Sequence, residues 1–394
     1  MTAVVSPRLT EPADQRALLV VLAAAVFMVN LDSRVIAPLL PTLASELGVS
    51  LARAGWLVSA YMVPYGVFQL AFGRLADRYG KVTVCAHALA AFSIGTACCS
   101  AWPSFWSVFI LRALTGAAAA GLIPLTLAYI GDIVPYERRQ QTIATVMASG
   151  GAAQALGAAA GGSIAALFSW RAVFPCLGAL SGVVCVALYA LKHREHRVAP
   201  STGTTYLHVL RAPQMRRLLL LVGVEGCLFF STFAFLGALL ELRFGASPLV
   251  SGSVLALAGV AQLVTARLLP RFIGHVSEGF MLGMGATAMG LAYLTCAFAS
   301  AIWMVAVACS VMGVGWILCH TTLQTRATEV FPAARGTAIA FFAFSLFLGS
   351  GAGAVAYGAL LEHIGFTSSF ALAGAALCVF AVVVVRLLTR QRSS

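Results

Sequence analysis

The stretch Gly73-Arg74-Leu75-Ala76-Asp77-Arg78-Tyr79-Gly80-Lys81 is a short charged loop between two long apolar runs, at about 51–72 and 82–102. The glycines at positions 73 and 80 permit a tight turn between closely packed helices, because glycine has no Cβ. Each run is long enough to cross a bilayer, since one helical span needs about 20 apolar residues. The stretch therefore predicts two membrane helices joined by a short turn.

The composition of the whole chain agrees with a membrane location. Of the 394 residues, 60% are hydrophobic and 10% are charged, and the mean hydropathy is +0.93. A soluble domain carries about 25% charged residues, because its surface must be wetted. These values exclude a soluble enzyme, a nucleic-acid binder and a disordered protein. Unbroken apolar runs also exclude an outer-membrane barrel, whose short strands alternate in hydrophobicity.

Twelve apolar runs are long enough to span, in two sets of six that are separated by the longest polar segment. The runs lie at about 17–41, 51–72, 82–102, 105–131, 141–168, 172–191, 217–241, 249–269, 279–299, 302–325, 336–361 and 367–388. We expect an N-terminal six-helix bundle (1–191), a cytoplasmic central loop (192–216) and a C-terminal six-helix bundle (217–394). The fold class is thus an all-α membrane protein with 12 transmembrane helices in two pseudo-symmetric bundles.

The distribution of basic residues predicts the orientation. With the N-terminus in the cytoplasm, 20 of the 25 Lys and Arg residues fall on the cytoplasmic side, as the positive-inside rule requires. Only Arg53, Arg171 and Arg243 fall outside, and Arg34 and Arg112 lie within spans. Both termini are therefore expected in the cytoplasm, and most of the net charge of +12 reflects topology.

The two halves repeat short patterns of sequence. Arg74-Leu75 before Arg78-Tyr79-Gly80 is echoed by Arg267-Leu268 before Arg271-Phe272-Ile273-Gly274. Pro135 and Arg138 before span five are echoed by Pro332 and Arg335 before span eleven. Duplicated halves are typical of transporters that rock about a central site between them.

Several motifs carry a family resemblance. The loop 73–81 closely resembles the signature of the major facilitator superfamily between its spans two and three. The chain is also similar to the 12-span drug:proton antiporter branch of that family, and the resemblance covers essentially the whole sequence. The matching patterns are Asp32 with Pro38 and Pro41, Arg112 with Gly116 and Gly121, and Gly157, Gly161 and Gly162 of the antiporter motif, in which Ala158 replaces a proline.

The resemblance implies a gating role for the loop residues Gly73, Arg74, Asp77, Arg78 and Gly80. In the family, the carboxylate of this loop locks the two halves together in the outward-facing state, near the start of span eleven. That start is around 335–337 here, where free backbone N–H groups would attract an anion. The alternative is a solvated charged loop that obeys the inside rule.

Four ionisable groups other than histidine lie well inside the spans: Asp32, Arg34, Arg112 and Glu225. Such residues cost at least ~2.5 kcal/mol at the bilayer centre and are functional candidates. From the helix rise, Asp32 and Arg112 lie about 12–13 Å from the outer surface. We expect them to pair, either as a proton switch or as a permanent structural ion pair. Arg34 lines the outer vestibule or offsets the charge of Asp32, and the sequence leaves both open.

Glu225 lies about 12 Å from the cytoplasmic end of span seven. No cation in the sequence obviously neutralises it, and His320 in span ten is the best available partner. We expect Glu225 to be a proton carrier or substrate-cation site, or else a buried hydrogen-bonded acid. The proton-coupling candidates are therefore Asp32, Arg112 and Glu225, and His320 has either a packing or a coupling role.

Other polar and aromatic residues of the spans are candidates for a central cavity. They are Asn30, Arg34, Tyr61, Tyr65, Gln69, Gln154, Phe229, Gln262, His320 and Gln324. Gly157, Gly161 and Gly162 are expected to allow close helix approach in span five. No metal site or cofactor is expected, because the cysteines occur singly or as one adjacent pair, without metal-ligand spacing.

The expected function is proton-coupled efflux (antiport) of small organic or drug-like molecules by alternating access, with drug resistance as its outcome. No phosphate loop or hydrolase motif occurs, so ATP-driven pumping and enzymatic activity are not expected. The alternatives are a dedicated metabolite or nutrient carrier, working as a specific exporter or a proton symporter, and a non-transporting membrane sensor or enzyme. The expected setting is a bacterial-type cytoplasmic (inner) membrane, with a monomer that binds substrate, protons and lipid but no nucleic acid.

Overall fold

The computed structural model describes residues 12–102, 104–192, 206–271, 276–330 and 335–389. Its regular elements in these ranges are helices. Their bounds are α1 (Pro12–Glu46), α2 (Leu51–Tyr79), α3 (Lys81–Cys98), α4 (Phe105–Ala119), α5 (Leu122–Ile133), α6 (Tyr136–Leu167), α7 (Trp170–Leu191), α8 (Tyr206–Arg211), α9 (Pro213–Ala234), α10 (Leu236–Phe244), α11 (Pro248–Leu268), α12 (Glu278–Ala297), α13 (Ile302–Val330) and α14 (Arg335–Thr389).

Ten helical stretches of the described residues are long and apolar enough to cross a membrane. Their outward surface is apolar too: Val183, Val186 and Leu220 each expose 70% or more of their area. A soluble protein rarely exposes large contiguous apolar patches, so this surface faces lipid. Helix α2 has 29 residues but is not among the ten, because polar and charged side chains lower its hydropathy.

Helix α14 is a helical hairpin rather than one rod. Its apolar part has 52 residues, which would be about 78 Å long as a straight helix, more than twice the ~30 Å hydrocarbon core. The chain reverses at Gly365, where φ is 73° and ψ is 175°. The rings of Tyr357 and Phe370 on either side of this glycine lie 5.7 Å apart. Residues 335–364 and 366–389 therefore run antiparallel.

Two of the other predicted spans are interrupted. Ala120 and Gly121 separate α4 from α5, and Phe235 separates α9 from α10. A Cβ at Gly121 would overlap the ring of Phe72, which packs against the glycine. Each pair of short helices still counts as one membrane-spanning stretch, Phe105–Ile133 and Pro213–Phe244.

The helices overrun the predicted apolar runs at several ends, because polar end residues remain helical outside the hydrocarbon core. The expected loop 192–216 is also partly helical. It contains α8, and α9 begins at Pro213, since proline is well suited to the first turn of a helix. Residues 193–205 lie outside the described ranges. So do residues 272–274 and Pro332, on which part of the predicted sequence repeat depends.

Small residues bring the helices before residue 193 against those after residue 205. Helix α6 packs on α11, and a Cβ at Gly162 would overlap the carbonyl of Pro248. Helix α2 packs on α14, with the Ser59 hydroxyl donating to the carbonyl of Gly351. We call the membrane face at which α1 ends and α2 begins (46–51) the distal face, and the opposite face, at which α2 ends (79–81), the proximal face.

The distal face is sealed between the two sets of helices. The backbone N–H of Ala52 donates to Glu362 Oε1 at 3.3 Å, joining the start of α2 to α14. A Cβ at Gly237 would overlap the Ala37 carbonyl, so α10 touches α1 directly. The distal closure thus rests on the hydrogen bond to Glu362 and on the close backbone approach that Gly237 permits.

Candidate functional site

A cavity of about 420 Å³ lies between the two sets of helices. Its walls come from α1, α5, α6, α11 and α13 and are rich in amide and basic side chains. They are formed by Asn30, Arg34, Ile123, Met147, Gly150, Gly151, Gln154, Gln262, Leu263, Ala266, Arg267, Trp316, Ile317, His320, Thr321 and Gln324. Ala266 and Arg267, near the proximal end of α11, are exposed, whereas the distal contacts are closed. The cavity therefore opens toward the proximal face.

The predicted pairing of Asp32 with Arg112 is present. Arg112 Nη1 lies 2.6 Å from Asp32 Oδ2, and each side chain is only 1% exposed. The guanidinium also lies over the ring of Tyr61, 4.3 Å from its centroid. The α2–α4 contact that aligns these groups requires Gly116, where a Cβ would overlap the backbone carbonyl of Tyr61.

Glu225 contacts His320, the partner expected from the sequence. His320 Nδ1 lies 3.1 Å from Glu225 Oε2, and the Glu225 side chain is fully buried. The imidazole stacks on Trp316, with ring centroids 4.2 Å apart. His320 and Trp316 line the cavity. His320 therefore lies between the cavity and the buried carboxyl group of Glu225 on α9.

Arg34 points away from the Asp32–Arg112 pair. Its guanidinium carbon lies 4.5 Å from the centroid of Phe230 on α9. Arg34 lines the cavity and also a second, much smaller pocket with Val58, Met62 and Phe233. Arg34 therefore lies at the closed end of the cavity. This position is compatible with both predicted roles, lining the outer vestibule and offsetting the charge of Asp32.

Four of the predicted cavity residues do not line this cavity: Tyr61, Tyr65, Gln69 and Phe229. Tyr61 is covered by Arg112, and Tyr65 packs against Phe347 with centroids 4.5 Å apart. Phe229 lies behind Trp316, with centroids 4.6 Å apart. Side-chain type in a span does not reveal which face meets the cavity, and this is the reason for the difference. The other six, Asn30, Arg34, Gln154, Gln262, His320 and Gln324, line it.

Two aromatic residues of the site were not predicted. Trp316 lines the cavity and stacks on His320, and the ring of Phe230 makes a cation–π contact with the guanidinium of Arg34. Trp316 is four residues before His320 on α13, so the helical period would have identified it once the histidine was chosen. No helical spacing identifies Phe230, because the residue that it contacts, Arg34, lies on another helix.

The predicted gating loop is mostly helical, because Gly73, Arg74, Asp77 and Arg78 belong to the last turns of α2 and only Gly80 separates α2 from α3. Asp77 is exposed at the proximal end of α2, and a Cβ added at Gly336 near the start of α14 would meet nothing within 4 Å.

Lys81 pairs with Asp132 of α5, and the guanidinium of Arg78 lies over the ring of Tyr79. Gly80 has a φ of 96°, which explains the glycine at the α2–α3 turn. The side chain of Arg335 lies outside the described part of the chain.

The glycines of the antiporter-like motif face two different helices. A Cβ at Gly157 would approach the Leu31 carbonyl and the Arg34 side chain, and one at Gly161 would approach Val35 of α1. Gly162 instead faces Pro248 and Gly252 of α11. Helix α6 is therefore held between α1 and α11, and it stays continuous through Ala158.

The described residues contain no group of three or more His, Cys, Asp or Glu side chains able to hold a metal ion. The side chains that line the cavity can bind a ligand through arginine, amide and aromatic groups. Bond-making chemistry would need a nucleophile with its base, and no such arrangement lines the cavity.

Known proteins resemble this chain, two of them over most of its length and one over part of it. An uncharacterized MFS-type transporter of Bacillus subtilis, YceJ, is 26% identical over 352 residues, which cover 88% of this chain and 90% of the relative. A puromycin resistance protein of Streptomyces alboniger is 35% identical over 155 residues, 39% of this chain and 31% of that protein. The crystal structure of a D-xylose-proton symporter superposes with a TM-score of 0.77 at 15% identity, covering 93% of this chain and 96% of that one.

The family of this chain is shown by a sequence profile that matches more than half of its residues. The sequence profile of the Major Facilitator Superfamily matches residues 22–354. The matched relatives are transporters rather than enzymes, and the helical architecture is that of the solved transporter structure. The chain belongs to the Major Facilitator Superfamily and is a multi-pass membrane transporter.

Proposed function

We propose that the chain is a secondary active transporter that couples inward proton movement to efflux of small organic or drug-like molecules. The observation that supports this most directly is the pair of buried acids beside one cavity. Asp32 is held by Arg112 behind the α1 wall, and Glu225 is held by His320 on the α13 wall. Buried carboxyl and imidazole groups that change partners as helices move can take up and release protons.

Alternating access is the proposed mechanism. The cavity opens at the proximal face while the distal face is sealed, which corresponds to one of the two states that such a carrier needs. The other state would seal the proximal face, bringing Asp77 to the start of α14. The halves that rock would be residues 1–191 and 217–394, joined by the central loop 192–216.

The proposed topology has twelve crossings and cytoplasmic termini. The ten apolar stretches become eleven when the α14 hairpin is counted twice, and α2 is the twelfth. With this topology the proximal face is cytoplasmic and the cavity is inward-facing. The proposed setting is a bacterial-type inner membrane with the monomer as the transporting unit. A named relative that confers puromycin resistance supports drug-like cargo.

The proposal is tested by flux in everted membrane vesicles. Because everted vesicles expose the cytoplasmic face, export appears as accumulation of a lipophilic dye inside the vesicles. This accumulation should require the pH gradient and stop when a protonophore collapses that gradient. Asp32→Asn and Glu225→Gln should each abolish gradient-driven flux, because an amide cannot exchange a proton at that position. Glu46→Gln is the matched control, since Glu46 pairs with Arg171 at the distal end of α1, away from the cavity. Full activity in both Asp32→Asn and Glu225→Gln would refute the coupling sites, and flux that is unchanged by the protonophore would refute proton coupling.

A dedicated metabolite or nutrient carrier is the second candidate. It is favoured by the amide groups of Gln154, Gln262 and Gln324 in the cavity wall, which suit a cargo with defined hydrogen-bonding groups. A broad resistance panel on expressing cells separates the two, because a dedicated carrier changes tolerance to few compounds. Flux direction under an imposed pH gradient separates an exporter from a proton symporter.

A further inference from the structure

The charged residues that line the cavity are basic. Arg34 lies at its closed end, Arg267 at its proximal rim and His320 on the α13 wall. No aspartate or glutamate is among the lining residues. A cationic cargo would find no exposed counter-charge there, whereas an anionic cargo would find two guanidinium groups.

The acids closest to the cavity are already engaged. Asp32 is bound to Arg112 at 2.6 Å, and Glu225 is bound to His320 at 3.1 Å. Neither is available to Arg34: among the described residues, no carboxylate forms an ion pair with Arg34 or with Arg267. Arg34 is thus a membrane-embedded cation without a protein counter-ion.

A cation in this setting is unfavourable unless something neutralises it. Charges removed from water are strongly disfavoured unless they are paired, and the guanidinium of Arg34 lies over the uncharged face of Phe230, 4.5 Å from the ring centroid. The cation–π contact with Phe230 offsets part of the free-energy cost of placing the Arg34 charge in the membrane. The planar guanidinium also presents a fork of N–H donors that fits a carboxylate, sulfonate or phosphate group.

The position of Arg34 suits a transported ligand. It borders both the large cavity and the small pocket on its distal side, so it lies on the path between the two faces. An anionic group held at Arg34 would be passed from one pocket to the other as the helices move. Beyond Arg34, Ile123, Met147 and Leu263 present apolar side chains to the same cavity.

We infer that the cargo is an organic anion with an apolar body, whose acid group binds Arg34 and whose body packs on Ile123, Met147 and Leu263. This inference rests on the proposed transport function and narrows its substrate class. A volume of about 420 Å³ accommodates such a molecule. An inside-negative membrane potential also favours export of an anion, which agrees with the proposed direction.

Three probes of equal shape test the charge requirement: 2-naphthoate, 2-naphthamide and 2-naphthylmethylammonium. Binding to the purified protein in detergent is measured by calorimetry, without any proton gradient. The wild-type protein should bind the carboxylate at least about tenfold more tightly than the amide or the ammonium, because a charged fork-to-carboxylate contact is available only to the anion.

Two variants of Arg34 and one control test the residue. Arg34→Gln should remove the preference for naphthoate, and Arg34→Lys should keep part of it as a point charge. Arg53→Gln should leave the preference intact, since Arg53 is exposed at the distal face against Phe105 and Trp106. Arg34→Gln removes a half-buried charge that no carboxylate of the described residues pairs with, so it should fold at least as well as the wild type, which its melting temperature checks.

Two results would overturn the anion class: wild-type protein that binds naphthoate no better than the neutral or cationic probe, or an Arg34→Gln variant that keeps the preference. Either result leaves the transport function standing, because vesicle flux of other compounds tests that function separately. Conversely, anion binding that depends on Arg34 in a protein without gradient-driven flux would refute proton coupling and keep the anion site.

Discussion

At the scale of single residues, the buried charges are the costly feature of this protein. Asp32 and Arg112 are both 1% exposed, and each is tolerated only because the other is present. Tyr61 adds its ring face to the guanidinium, which leaves Arg112 packed on one side and paired on the other. Removing one partner is therefore expected to harm the protein more than removing both.

This expectation defines a double-mutant cycle. Asp32→Asn and Arg112→Gln should each lower the free energy of unfolding by about 3–5 kcal/mol, because an uncompensated charge remains buried. The double variant should recover much of that loss, since it leaves no net charge. Thermal unfolding of the purified proteins measures the stabilities.

The same three proteins distinguish a proton switch from a structural ion pair. A switch requires that the double variant stays inactive in vesicle flux although its stability returns. A double variant that regains both stability and flux would show that the pair only holds α1 against α4. Equal instability in all three variants would contradict the buried-charge explanation.

At the scale of elements, antiparallel helix pairs join the two sets of helices across the cavity. Helix α2 packs on α14, and at its distal end the start of α2 donates to Glu362. At its proximal end Asp77 is exposed, and the backbone near the start of α14 has open space at Gly336. The pair is thus fastened at one end and open at the other, while α6 and α11 cross through Gly162, Gly252 and Gly259.

The α6–α11 crossing leads to a prediction about glycine. Gly162→Ala should destabilise the protein by about 1–3 kcal/mol, since the new methyl group would overlap the Pro248 carbonyl and force the helices apart. Gly182→Ala on α7 is the matched control, because a Cβ there meets nothing within 4 Å. That variant should gain about 0.5–1 kcal/mol from lower backbone entropy in the unfolded chain.

Melting temperatures of the two variants in detergent provide the measurement. Equal tolerance of both substitutions would mean that α6 and α11 do not approach as closely in solution as in the structure. A loss of stability in both variants would contradict the assignment of the effect to the contact between Gly162 and Pro248.

At the scale of the whole molecule, the orientation in the membrane decides which way the cavity opens. A variant without native cysteines can carry one reporter cysteine at a time. Ala101→Cys, in the turn after α3, should react with a membrane-impermeant maleimide on intact cells, because it is exposed at the distal face. Arg138→Cys and Arg211→Cys, both exposed at proximal ends of helices, should react only after permeabilisation.

One labelling result would contradict the proposed orientation in the membrane. Reaction of Arg211→Cys on intact cells would put the expected central loop outside, reversing the positive-inside assignment. The cavity would then be outward-facing, and the proposed direction of transport would have to be reversed as well.

Sequence alone determined the class of fold and the chemistry of the buried groups. Hydropathy requires a helical membrane protein, because only helices and closed barrels satisfy the backbone in lipid. A charge within a span must find a partner, and few candidates existed, so Asp32 could be matched to Arg112 and Glu225 to His320. These inferences need only local composition and helix rise.

Only the tertiary structure decided which face of each helix meets the cavity, and which end of the cavity is open. Tyr61, Tyr65 and Phe229 are as polar or aromatic as the true lining residues, yet they pack against Arg112, Phe347 and Trp316. In lipid, an apolar side chain is accepted on every face of a helix, so hydrophobic periodicity is weak and rotation is set by close contacts between helices. Those contacts, at glycines such as Gly116, Gly157 and Gly162, are long-range and cannot be read from one helix at a time.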